Sequence, residues 1–243
     1  MMLNYVGLQL RALSRNKRYL IFTVGFPLIF FIAITASLDG ADAKSYAIGY
    51  MVSMAVYGST TGMLGSTGPA IANERKTGWL RQLRLFPISD GAIFGGKLMT
   101  AMATALPSLI LVALAGRIFK GIDLSASQWV EMVLYMWIAT IPFAALGVLI
   151  GYIFEGETAR MISILLGVLL AFLGGLWFPL DAMKGGFRHI ATAMPTYRVY
   201  ELGHNVVTGH SFNAGGVLIL AIYAVVFSAL AILRIRRAGG VTA

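Results

Sequence analysis

Six long apolar stretches, residues 19–37, 46–72, 98–115, 129–152, 161–178 and 215–233, constrain this chain more than any other feature. About 20 helical residues cross a hydrocarbon core of ~30 Å, and a backbone in that medium must satisfy its own amide and carbonyl groups. Each stretch is close to that length. The one charged side chain inside any of them is Glu131, near one end of the fourth. The expected fold is therefore all-α, a polytopic integral membrane protein with six transmembrane helices in a single domain over residues 1–243. Composition agrees: 12% of the residues are charged, against about 25% in a soluble domain. A signal peptide is the competing reading of 19–37, with Ala41-Asp42-Ala43 as its cleavage site. The run is longer than a signal core and further spans follow it, so it reads as a span.

Charge sets the expected orientation. Residues 3–18 place Leu3, Val6, Leu10 and Leu13 on one helical face and Asn4, Arg11, Arg15 and Arg18 on the other. Such a basic amphipathic helix lies in the head-group layer of a lipid bilayer. Of the 19 Lys and Arg, thirteen fall on the side of the two termini and six on the other. This predicts both termini in the cytoplasm. The net charge of +9 follows from that bias, with no nucleic acid as partner.

Residues 73–97 form the main basic interruption. Trp79, Leu83 and Phe86 recur at i, i+4, i+7, with Gly78 at the start and Pro87 as the stop, so a short amphipathic cytoplasmic helix is expected within 74–89. Its apolar face is offered either to lipid or to a protein partner. In the second span Ser59, Thr60, Thr61, Ser66 and Thr67 lie among glycines. They either bond back to helix carbonyls or line a substrate pathway. Gly58 with Gly62, and Gly147 with Gly151, have the spacing that lets helices approach closely. Residues 179–213 are too polar to span. Gly185-Gly186 and Pro195 divide them into pieces near 187–194 and 196–207, expected as short re-entrant helices on the outer face.

Motifs for chemistry are missing. Gly91 to Lys97 has the G-x-x-x-x-G-K spacing, but Leu98 stands where a phosphate loop needs Ser or Thr, and no strand precedes it. Neither H-E-x-x-H nor G-x-S-x-G occurs. His189, His204 and His210 lack the i, i+4 spacing of a helical zinc site, so no metal is expected, and without cysteine there is no thiolate chemistry. No span has a charge at its centre to couple a proton or sodium ion. A chain with no catalytic residues and no fuel site depends on another protein for work. Two alternatives stand beside that reading. One is a passive channel or structural membrane subunit. The other is a membrane-embedded enzyme using His189, Glu201 and His204.

Two stretches resemble the type-2 exporter class of ATP-binding-cassette (ABC) permeases. One is the E-x-x-x-G…L…P-I-S…K-L pattern on Glu74, Gly78, Leu83, Pro87, Ile88, Ser89, Lys97 and Leu98. The other is G-L-W-F-P-L-D-A-M from Gly175 followed by M-P-T-Y-R-V-Y-E-L from Met194. Gly185-Gly186 depart from the family's apolar-proline run. The resemblance implies a permease subunit in a cell membrane, a bacterial inner membrane. It would pair with a second copy or paralogue and bind no cofactor itself, ATP and Mg being used by a partner ABC ATPase. That ATPase would dock on Glu74, Arg75, Gly78, Trp79, Leu83, Phe86, Pro87, Ile88 and Ser89. The family's dimer contact through the first and fifth spans makes Gly25 and Gly167 candidates for it. An uncharged path suits a hydrophobic or amphipathic substrate.

Overall fold

A computed structural model describes residues 21–38, 40, 43–83, 85, 89–178, 186–211 and 213–240. The expected surface helix at 3–18 lies outside them. Every regular element among the described residues is helical. A π-helical turn, Ile21–Gly25, leads into α1 (Phe26–Ala36), followed by α2 (Ala43–Lys76) and the short α3 (Trp79–Leu83). Then come α4 (Asp90–Lys120), α5 (Ala126–Ala139), α6 (Ile141–Ile153) and α7 (Gly156–Leu173). The last three are α8 (Gly186–Ala193), α9 (Pro195–Thr208) and α10 (Ala214–Gly240).

Local chemistry explains most boundaries. Ser89 caps α4, its side chain accepting from Ala92 N, so that helix begins well before residue 98. Its far end closes on Gly121, at φ 56°, where the left-handed conformation suits glycine. Ser125 and Gln128 form a reciprocal capping box on α5. The stretch expected as one span over 129–152 is two helices. Pro142 has no N–H to give, and the chain turns at the buried Thr140, whose hydroxyl donates to Trp137 O at 2.6 Å.

The bundle is built around α2, which packs against α1, α4, α6, α7 and α9. Protein surrounds it, so it has no need of a lipid-compatible surface and can carry small polar residues. Ser59 Oγ and Thr60 Oγ1 both donate to Val56 O, at 2.9 and 2.8 Å. Such back-bonding satisfies hydroxyls away from water. Close approach follows where side chains are absent. A Cβ on Gly151 would lie 2.6 Å from Ile71 Cβ and 2.7 Å from Gly68 O, and one on Gly58 would lie 2.7 Å from Thr23 O. Hydrogen bonds join the layers: Trp137 Nε1 donates to Met102 O at 2.9 Å, and Lys120 Nζ to Thr35 O at the end of α1.

Among the described residues four segments are long and apolar enough to cross a membrane: Asp90–Lys120, Ala126–Ile153 (α5 with α6), Gly156–Leu173 and Ala214–Arg237. Large apolar side chains stand exposed along α7 and α10, among them Leu165 (62%) and Val225 (68%). Lipid tails are as apolar as those side chains, so the exposure costs nothing in a bilayer. The protein is a multi-pass membrane protein. At the end of the bundle opposite α3, α8 and α9 form a cap. Thr196 Oγ1 donates to Leu170 O at 2.6 Å, and Glu201 accepts from Arg198 Nη1 at 2.8 Å and Asn213 Nδ2 at 3.0 Å.

Candidate functional site: the α3 elbow

The residues singled out in 74–89 do not form one helix. Glu74 and Arg75 belong to the last turn of α2. Gly78 then reverses the chain at φ 76°, a left-handed position that L side chains adopt only with strain. Its N–H donates to Arg75 O at 3.2 Å, and Thr77 N to Asn73 O at 2.9 Å, supplying two carbonyls that the helix end would leave bare. The five residues of α3 follow, too few for a helix that is stable by itself. Its hold is Leu80, 7% exposed and clustered with Ile71, Phe94, Tyr152 and Ile235. That cluster draws on four helices, α2, α4, α6 and α10.

Around it the elbow is exposed. Trp79 is 43% and Leu85 is 85% accessible. Two large apolar side chains thus stand exposed on this turn. The side chain of Leu83, and Phe86, Pro87 and Ile88 entirely, lie outside the described residues, as does Arg84. Ser89 serves as the cap of α4.

Glu74, expected among the residues of the docking surface, is instead largely buried. Its side chain is 14% exposed and pairs with Lys97, itself 6% exposed, one helix away on α4. Arg75 also turns inward. Its Nη1 donates to Gly151 O at 3.1 Å and Phe154 O at 3.2 Å, at the C-terminal end of α6, with Glu155 3.6 Å from Nη2. Charge-assisted bonds of this kind meet the bare carbonyls and the negative end of the helix dipole together. Sequence reading missed Leu80, Leu85 and the role of Lys97. The Glu74 and Lys97 signal was present as two opposite charges on either side of a turn.

The proposed pathway hydroxyls are largely enclosed. Ser59 and Thr60 are buried and bonded back to the helix. Thr67 packs against Gly147, and Ser66 Oγ reaches Thr104 Oγ1 at 3.4 Å. Thr61 is half-buried, its hydroxyl donating to Tyr57 O. Ser66, Thr67, Thr100 and Thr104 line a cavity of about 40 Å³ above the Glu74–Lys97 pair, room for a water or two and for no larger cargo. Gly167 is occupied within the chain, since a Cβ there would meet Thr61 Cγ2 at 3.1 Å, whereas Gly25 has only its neighbour Ile21 at 3.8 Å. Near the opposite cap His189 and His210 are exposed and His204 stacks on Tyr200 at 5.3 Å. Among the described residues no group of three or more His, Cys, Asp or Glu is placed to hold a metal ion.

The sequence model of a family described as ABC-2 family transporter protein matches residues 35–233. A protein of Bacillus subtilis (strain 168) bearing the name transport permease YvfS is 28% identical over 224 residues, 91% of this chain and 91% of its own. Long apolar helices among the described residues, with every regular element helical, agree with both matches. The chain belongs to the ABC-2 family of transporter proteins, membrane permease subunits that pair with an ABC ATPase.

Proposed function

We propose that this chain is the permease of an ATP-driven exporter, moving a hydrophobic or amphipathic compound (a drug-like metabolite, lipid or lipid-linked glycan) out of the cytoplasm. A separate ATPase uses ATP and Mg and docks on the α3 elbow. The observation that carries this reading is the elbow itself. Leu80 seats it in an apolar cluster drawn from four helices, while Trp79 and Leu85 stand exposed and can enter a groove on a partner.

Six spans are counted by adding α1 and α2 to the four apolar segments. Although α2 is less apolar, its 34 residues reach roughly 50 Å. An even number puts both termini at the α3 end, together with Arg75, Lys76, Arg160, Arg234, Arg236 and Arg237, and that end faces the cytoplasm. The exposed flanks of α1 and α7 receive a second permease, identical or paralogous, with Gly25 at the contact.

The test is retention of the partner ABC ATPase on the tagged, membrane-extracted permease. Trp79→Ala with Leu85→Asp is expected to release it while the permease still elutes as a single folded species. Undiminished retention in that variant would refute docking at the elbow. Hydrolysis of ATP by the permease reconstituted by itself would refute the division of labour.

A further inference from the structure

The last turn of α2 is fastened at two consecutive residues to two different helices. Glu74 joins it to α4 through Lys97, and Arg75 joins it to the end of α6. A buried ion pair adds little net stability, because withdrawing both charges from water offsets most of their attraction. What such a pair does supply is a fixed geometry between the groups that carry it. This one lies in register with the rest of the seam. Ser66 and Thr104, eight residues back on α2 and seven on along α4, also meet, roughly 12 and 10.5 Å farther up two antiparallel helices. The cavity between these two contacts is lined by Thr67 and Thr100 together with Ala70, Ile71 and Ala101, so the two polar contacts stand at its opposite ends. Helix ends ordinarily fray. A push on α3 would be lost in a loose last turn of α2 unless that turn were tied down.

We propose that Lys97 and Arg75 are positioning residues for transport: through the Glu74–Lys97 pair and the Arg75 bonds, displacement of α3 is passed to α4 and α6 together. The inference rests on the docking of the ATPase at the elbow. Neither residue needs to touch the ATPase or the cargo. Their task is to make α2, α4 and α6 answer as one body at the end where force enters.

The chain has no cysteine, so spin labels can be placed at will on the exposed Met99 of α4 and Met161 of α7. In nanodiscs holding permease and ATPase, a non-hydrolysable ATP analogue with Mg is expected to shift the Met99–Met161 distance. Lys97→Met should reduce the shifted population by roughly fivefold or more, the lower end of ordinary coupling between sites, while the ATPase stays bound. Glu74→Gln with Lys97→Met removes both charges, so no lone charge is left to unfold the protein, and it should show the same loss. Exchanging the charges, Glu74→Lys with Lys97→Glu, should restore the shift, which a merely space-filling role would not require. Arg75→Gln should lower it again with the ion pair intact. An unchanged shift in the neutral double variant, or no recovery on charge exchange, overturns the proposal with docking still standing. Failure of the unaltered chain to hold the ATPase would overturn docking and transmission together.

Discussion

Replacing Leu80 by Ala should detach α3 while leaving the bundle folded. Helix α3 has five residues and no internal means of stability, so its position depends on what Leu80 gains by leaving water. Burying a leucine is worth about 1.5–3 kcal/mol, and truncating one to alanine in a core costs about 2–5 kcal/mol. Leu80 is 7% exposed rather than wholly enclosed. The lower figure, about 2 kcal/mol, is therefore appropriate, and it converts to roughly a 30-fold rise in the detached population. Amide hydrogen exchange reads this directly. Peptides covering 79–83 should exchange roughly 30-fold faster, whereas peptides from the middle of α2 and α4 stay protected. ATPase retention should fall as well, through disorder of the elbow rather than through loss of a contact. Trp79→Ala separates the two causes, since it removes exposed surface and should leave exchange at 79–83 unchanged. Equal protection of 79–83 in Leu80→Ala and the native chain would refute the claim that this side chain is what seats the elbow.

Gly151→Leu should abolish folded permease, because its Cβ would meet Ile71 Cβ at 2.6 Å and the Gly68 carbonyl at 2.7 Å. Gly65→Ala, with nothing within 4 Å, should be accepted, and monodisperse yield after extraction distinguishes them. At Gly78 space is free but φ is 76°, so Gly78→Val should destabilise the turn by about 1–2 kcal/mol. Gly78→Asn should cost less, as read by the same exchange at 79–83.

Most spans were legible because their length and lack of charge leave a chain few choices. The two short helices within 179–213 were legible too: Gly185-Gly186 and Pro195 stand close to the starts of α8 and α9. The elbow was legible as a place and misread as a shape. Gly91 to Lys97 has the spacing of a phosphate loop, yet Ser89 caps a helix that runs straight through it. The period that joins Trp79 to Leu83 could not reveal that Leu80 faces inward, because five residues make little more than one turn and neighbouring helices choose its buried side. Glu74 was placed at the docking surface by its position in the family pattern. Its partner is 23 residues away in sequence, beyond any local pattern. By contrast, Pro69 and Pro107 sit inside long helices, where neighbouring helices compensate for the missing donor.

The interruption at Thr140 divides a single membrane crossing between two households. Its first half, α5, packs chiefly with α9 of the cap, and Gly203 there sits so close to Met136 that a Cβ would lie 2.5 Å from its sulfur. Its second half, α6, packs with α2 and α10 and accepts the guanidinium of Arg75. A straight rod would force both groups to tilt together. A rod with a knuckle lets the lower group swing while the upper one keeps its own contacts.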